Sequence, residues 1–227
     1  MTTSKTTRLP PDERREQLVR LGLELLGRTP HDQVSIEAIA RAAGISKGLL
    51  YHYFPTKADF VVAVLRQSHD ELERRMTPDF SVAMTAGERL DASIDAFLGY
   101  VEEHATGFQA VTHARAGGDP AVRAVLEEQR AARVDSMADF AAALAGVPRE
   151  EVSSPALTLV LEGWLFFCDG VVSSWLAQGG LTRPQVLHLL RENLLAALIS
   201  VAGADDRLAA RRLADGAAGL RRLASLA

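Results

Sequence analysis

The sequence predicts an all-α protein, with a three-helix unit at its N-terminus and a larger helical bundle behind it. Three observations predict this. Apolar residues recur at helical spacing along most of the 227 residues, and strand-like alternation never runs for more than a few positions. Ala and Leu are abundant while aromatics make up only 6%. The breaks between apolar runs carry helix-start and helix-stop chemistry, with Ser35, Ser46, Thr56, Asp119 and Thr182 as caps and Gly44 and Pro55 as stops. At 48% hydrophobic residues the chain can bury a substantial core.

The elements follow in order. Residues 12–28 form an opening helix whose Leu18, Leu21, Leu25 and Leu26 face two short helices. Ser35 caps the first of these, whose apolar face is Ile36, Ile39, Ala40 and Ala43. Ala40 is small enough to let the next helix cross closely, and Gly44 ends the helix in a left-handed conformation. Ser46 caps the second short helix, with Leu50 and Phe54 on one side. Gly48, Leu49 and His52 lie opposite, flanked by Tyr51 and Tyr53. Pro55 stops it, and a Thr56–Asp59 capping box opens a linking helix over 57–76. Further helices read at 86–104, 107–115 and 120–145, the last opened by Asp119-Pro120. Val147-Pro148 breaks the chain again, and two long apolar helices follow.

The segment 35–57, SIEAIARAAGISKGLLYHYFPTK, carries the chemistry. A helix-turn-helix whose second helix bears small, basic and aromatic groups is suited to the DNA major groove. Lys47, Tyr51, His52, Tyr53 and the hydroxyls of Ser35 and Ser46 can bond phosphates, while Gly48 allows close approach. Lys57 adds a phosphate contact beside the N–H groups that start the linking helix.

At these residues the sequence resembles the tetracycline-repressor (TetR) family of bacterial transcription regulators. The match is Ile39-Ala40, Ala43-Gly44-Ile45-Ser46, Lys47-Gly48, Leu50-Tyr51, Tyr53-Phe54 and Lys57, within residues 12–66. The resemblance implies three DNA-binding helices and a larger helical domain that dimerises and holds a small-molecule effector. One residue departs from the pattern: Leu49 stands where relatives often have Thr. It can pack on a thymine methyl but cannot bond a phosphate.

Charge is distributed as such a protein needs. Residues 1–60 carry +2, and residues 61–227 carry −6. All three lysines, Lys5, Lys47 and Lys57, lie in the first quarter. A flexible arm over 1–11 could track the DNA backbone through Lys5 and Arg8, or be an idle tail. The polar N-terminus has no signal core, and Cys168 is the single cysteine. Together these predict a cytoplasmic protein without disulfides. Glu162 and Asp169 interrupt the longest apolar stretch, so no membrane span is expected. No phosphate-cradling glycine loop and no metal-ligand spacing is present, and Cys168 falls inside an apolar seam. Catalysis, cofactors and metals are therefore not expected.

The division predicted is an arm at 1–11, a DNA-binding domain at 12–56, the linking helix at 57–76 and an effector and dimerisation domain at 77–227. Leu157, Leu161, Trp164, Cys168, Val171 and Trp175 form one apolar seam, and Leu187, Leu190, Leu194, Ala197 and Val201 another, after a Thr182–Gln185 capping box. Two copies of the chain could meet there as a four-helix interface, or the seams could pair within one subunit. The candidates for the interface are Leu161, Cys168, Val171, Trp175, Leu187, Leu190, Leu194 and Val201. A dimer would read a palindromic operator through recognition helices about 34–36 Å apart. For the effector cavity the candidates are Phe97, Tyr100, His104, Phe108, His113, Phe140, Trp164 and Phe167, each of which could equally be core. The aliphatic composition favours a lipophilic effector, such as an acyl chain or steroid-like ring. Residues 203–227 read as a capping segment, with contact to a membrane surface or nucleic acid as the other reading. The function these residues point to is a homodimeric, effector-released repressor.

Overall fold

A computed structural model describes residues 10–26, 35–77, 83–114 and 119–204, and every regular element among them is a helix. The arm residues Lys5 and Arg8 and the chain from residue 205 onward lie outside the described residues. The helices are α1 Pro11–Leu26, α2 Ile36–Ala42, α3 Lys47–Tyr53, α4 Lys57–Met76, α5 Ala86–Glu103, α6 Ala105–Ala114, α7 Pro120–Ala145, α8 Arg149–Val152, α9 Pro155–Gln178 and α10 Arg183–Ala204.

The chain folds into two compact units that interleave in sequence: Met1–Glu71 with His104–Leu126, and Leu72–Glu103 with Glu127–Ala227. In the first unit α6 and the first turns of α7 pack with the N-terminal helices. The cause lies in side chains. Val61 and Leu65 of α4 bury themselves against Val122, Val125 and Leu126 of α7.

In the first unit the core is Leu18 and Val19 of α1, Ile36, Ile39 and Ala40 of α2, Leu50 and Phe54 of α3 and its end, and Phe60, Ala63 and Val64 of α4. The turn between α2 and α3 has the bonding of a Schellman motif. Ile45 N–H donates to Ala40 O at 3.0 Å and Gly44 N–H to Arg41 O at 3.1 Å, with Gly44 at φ +64°. Ser35 and Ser46 cap as expected, each accepting from the amide three residues on, at 3.1 Å. The Thr56–Asp59 capping box also forms, at 2.9 and 3.0 Å.

Gly22 lets α1 lie directly on α4. A β-carbon there would stand 2.5 Å from Phe60 Cζ and 2.6 Å from Val64 Cγ2, and both of those side chains are buried. Alanine gains about 0.8–1 kcal/mol of helix propensity over glycine, but overpacking a close-packed core costs about 1–3 kcal/mol. Gly22→Ala is therefore expected to lose net stability, read as a lower denaturant midpoint.

In the second unit α10 packs on α5 and α9. Leu98, Val101, Leu161, Val172, Val186 and Leu190 are fully buried there. Ion pairs fasten α10 to α5: Arg183 reaches Asp95 at 2.6 Å and Arg191 reaches Asp91 at 3.2 Å. The Trp164 indole donates to Leu190 O at 3.2 Å, tying α9 to α10. By length and composition alone α9 could cross a membrane. Here its Leu157, Leu161, Leu165, Cys168 and Val172 stripe is core, and Asp169 is ion-paired inside.

Candidate nucleic-acid interface and internal cavity

Burial sorts the residues of α3 into two faces. Leu50 is fully buried, with Phe54 just beyond the helix, and Tyr53 packs partly on the same core. Lys47, Gly48, Leu49, Tyr51 and His52 face outward. Leu49 and Tyr51 are 39% and 38% exposed, large apolar groups that the fold leaves uncovered. Around Gly48 the nearest atom to an added β-carbon is Ser46 Oγ at 4.0 Å, so nothing within the chain demands glycine there.

The Ser46 side chain uses acceptor capacity for capping, which leaves its hydroxyl proton to donate, whereas the Ser35 hydroxyl also bonds the Glu37 carboxyl. Lys47 Nζ donates to Glu37 Oε1 and lies 5.8 Å from the Tyr51 ring centroid. The bond from Lys47 holds the Glu37 carboxyl below its ordinary value, and Glu37 in turn raises Lys47. Both groups are thus charged at neutral pH. Glu37 is a member of this surface that sequence reasoning missed; its position one turn ahead of Arg41 on the outer face of α2 was the available signal. Lys57 begins α4 and is partly buried.

The second unit contains a cavity of about 550 Å³, within the range of about 300–1,000 Å³ usual for small-molecule sites. Its walls come from the last turn of α4 (Glu73, Met76, Thr77), from α5, α7, α9 and α10. Of the predicted lining, Phe97, Phe140 and Trp164 are there. The other candidates stand elsewhere. Tyr100 is buried elsewhere, with the Arg75 guanidinium 5.2 Å over its ring. His104 and Phe108 belong to the other unit, and the side chain of His113 lies outside the described residues. Phe167 lines an outer groove on α9 with Phe166, Val171, Trp175 and Leu181.

What replaces them is aliphatic and sulfur-bearing: Met76, Met84, Leu90, Ile94, Met137 and Leu198. Arg133, Met137, Phe140 and Ala143 recur along one face of α7, a spacing visible in the sequence. The charged end of the cavity is built by Arg133, whose Nε lies 3.9 Å from Glu73 Oε1, and by Asp169, which accepts from Arg130 at 2.9 Å. Cys168 sits in the same wall. Burial first, and then the neighbouring Asp169 charge, push its thiol far above the ordinary value. It is a small apolar wall residue, not a nucleophile.

Burial also divides the residues of the two apolar seams. Leu161, Cys168, Leu190, Leu194 and Val201 are buried within the chain and have no surface to offer a second copy. Leu187, Val171 and Trp175 keep partial exposure. The outward side of α9 and α10 instead presents Leu159 and Phe166, 67% and 61% exposed, with Leu181, Leu189 and Ile199.

Comparison with known proteins gives the family. Residues 18–64 match the family described as bacterial regulatory proteins, tetR family, and residues 86–198 match the tetracyclin repressor-like C-terminal domain. The chain belongs to the TetR family. This TetR-family protein is similar to the HTH-type transcriptional activator FasR of Mycolicibacterium smegmatis, 28% identical over 153 residues that cover 67% of this chain and 70% of that protein. It is also similar to the fatty acid metabolism regulator protein of Bacillus subtilis, 27% identical over 74 residues, covering 33% of this chain and 38% of that one. Among solved structures, a tetR-family transcriptional regulator from Streptomyces coelicolor superposes with a TM-score of 0.76 at 28% identity, covering 96% of this chain and 90% of that chain. The TetR-family chain is a DNA-binding transcriptional regulator and not an enzyme.

The outward face of α3 makes a direct prediction. Tyr51→Ala should leave the melting temperature nearly unchanged, since the ring is not core. DNA affinity should fall by about tenfold, the scale of one lost contact of roughly 1.4 kcal/mol. Fluorescence anisotropy on labelled duplex beside a thermal melt separates the two; a matching drop in stability would mean that Tyr51 holds the fold.

Proposed function

We propose that this protein is a homodimeric regulator that represses from a palindromic operator and is released by a small lipophilic effector. The observation that carries this reading is the cavity wall. Glu73, Met76 and Thr77, the last residues of α4 and its end, line the cavity, and the same helix begins at Lys57, directly after the recognition helix α3. An occupant therefore touches the helix that carries α3's connection. It shifts the regulator only as far as it prefers one placement of that helix, because equal affinity for two states moves neither.

The apolar walls and flexible methionines suit an extended hydrocarbon, and the Arg133–Glu73 end suits a polar head. A saturated long-chain fatty acid is the effector class this favours. The name of the Bacillus subtilis relative, a fatty acid metabolism regulator, supports the same class. The exposed Leu159, Phe166, Leu181 and Leu189 support a second copy docked on α9 and α10, and a dimer reads a palindrome when its two recognition helices lie about one DNA turn apart.

Selection of bound sequences from random duplex DNA tests the core of this reading. It should return a palindrome, and adding palmitate should release the protein from it. Recovery of no enriched sequence would sink the regulator dimer, and retention of DNA at saturating palmitate would sink the effector class. A second sign of control is favoured by one observation, that the Mycolicibacterium smegmatis relative is named an activator. A promoter fusion with the selected site decides it by whether output rises or falls when the protein is expressed.

A further inference from the structure

The recognition face carries a matched pair of opposite charges that the fold does not require. Glu37 stands in the first turn of α2, and Lys47 opens α3. The Lys47 ammonium donates to the Glu37 carboxylate, with the two side chains 55% and 52% exposed. Exposed pairs of this kind contribute little to stability. The local structure is already held by the Ser35 and Ser46 caps, the bonded turn at Gly44, and burial of Ile36, Ile39 and Leu50. What the pair does change is the charge this surface offers to a polyanion. Lys47 is the basic residue of α3 that sits among Gly48, Leu49, Tyr51 and His52, and a carboxylate already occupies it.

We propose that Glu37 is a specificity-determining residue of the DNA interface, acting by holding Lys47. To bond a phosphate of arbitrary sequence, the ammonium must leave Glu37, and the carboxylate is then stranded facing the negative backbone. Non-specific binding bears that penalty at every position on DNA. A cognate site can relieve it in the major groove, where a cytosine amino group is the donor that a glutamate accepts from. Glu37 thus lowers affinity for DNA in general more than affinity for the operator, and discrimination is the difference between the two.

The proposal rests on α3 being the recognition helix, and its test separates the two ideas. Glu37→Gln keeps the side chain's shape and removes the charge. Anisotropy titrations on a mixed-sequence duplex should show affinity raised by about three- to tenfold. The slope of log affinity against log salt should steepen by up to about 0.9 for each further phosphate that is neutralised. Affinity for the duplex recovered by selection should rise less or fall, so the ratio of specific to non-specific binding narrows. In a Lys47→Ala background the same Glu37→Gln change should raise affinity clearly less, since it then relieves only the repulsion of phosphate and releases no ammonium. Equal increases in affinity with and without Lys47 would mean that Glu37 merely repels phosphate, and equal increases on both duplexes would mean that it has no part in specificity. Either outcome overturns the proposal. Failure of the unsubstituted protein to bind the mixed-sequence duplex at low salt would instead overturn the assignment of α3. Unchanged thermal melts of both variants confirm that binding, not folding, is being read.

Discussion

Replacing Phe54 with alanine is expected to cost about 3–5 kcal/mol, the range for emptying a large aromatic site in a packed core. The residue sits at the end of α3, 1% exposed, with its ring edge-on to Phe60 at 5.1 Å and the Arg15 guanidinium 5.1 Å above it. Its own amide closes the last turn of the helix onto Leu50 O at 3.0 Å. At seven residues α3 is far below the roughly 12–15 at which an isolated helix persists in water. The recognition helix therefore exists because Leu50 and Phe54 are buried beneath it. Loss of Phe54 should abolish DNA binding by dissolving the surface that binds, in contrast with Tyr51→Ala, which should weaken binding on an intact fold. Phe54→Leu should lose far less, because volume is mostly kept. Chemical denaturation paired with anisotropy checks this. A Phe54→Ala protein that stayed as stable as the parent yet released DNA would show the ring to be a contact instead of an anchor.

The features that could be read in the sequence are those decided within one or two helical turns. Ser35, Ser46, Thr56 with Asp59, and Asp119 announce their caps through residues two or three positions away, and each cap forms. Gly44 likewise needs only its neighbours to end α2. The buried and exposed sides of α3 follow from helical spacing, because a seven-residue helix against a core has one inward direction. Glu37 was missed because its partner Lys47 lies across a turn, and spacing along either helix does not show which charges meet.

Farther apart, the same periodicity stops discriminating. The run Leu161, Cys168 with Leu190, Leu194 and Val201 marks an apolar seam correctly, but a seam does not say whether the helix opposite belongs to the same chain. Here α9 and α10 use it against each other, against α5 and around the cavity. Subunit contact falls instead, on the dimer proposed above, to residues off the seam such as Leu159 and Phe166, which regular spacing does not mark. The cavity lining is hard to read from sequence for a related reason. Weight on aromatics and histidines found Phe97, Phe140 and Trp164, but the charged end comes from Glu73, Arg133 and Asp169, on three different helices. Nothing local to those positions distinguishes them from solvated surface charges.

Asp169→Leu is the other substitution with a large expected effect, and it asks what that charged end is for. Asp169 lies past the middle of the mostly apolar α9 and accepts from Arg130 at 2.9 Å, with the two side chains 12% and 14% exposed. The same guanidinium stacks 3.9 Å over Phe166, whose ring is mostly exposed. One arginine thus touches a cavity-wall carboxylate on one side and an outward aromatic on the other. Removing the carboxylate takes away the guanidinium's buried counter-charge, which costs about 3–5 kcal/mol when one partner of a largely buried pair is deleted. Arg130→Met should cost a similar amount for the mirror reason. The double variant should recover most of the loss, since apolar residues of similar volume commonly replace such a pair without penalty. A double-mutant cycle in denaturant reads the coupling directly. Strong coupling would mean the pair exists to be held together, and any ligand that takes Asp169 or Arg130 from its partner must match that energy. Single variants as stable as the parent would mean that water already serves both charges. The bond would then place no restraint on Phe166, and the outward face would be independent of what the cavity holds.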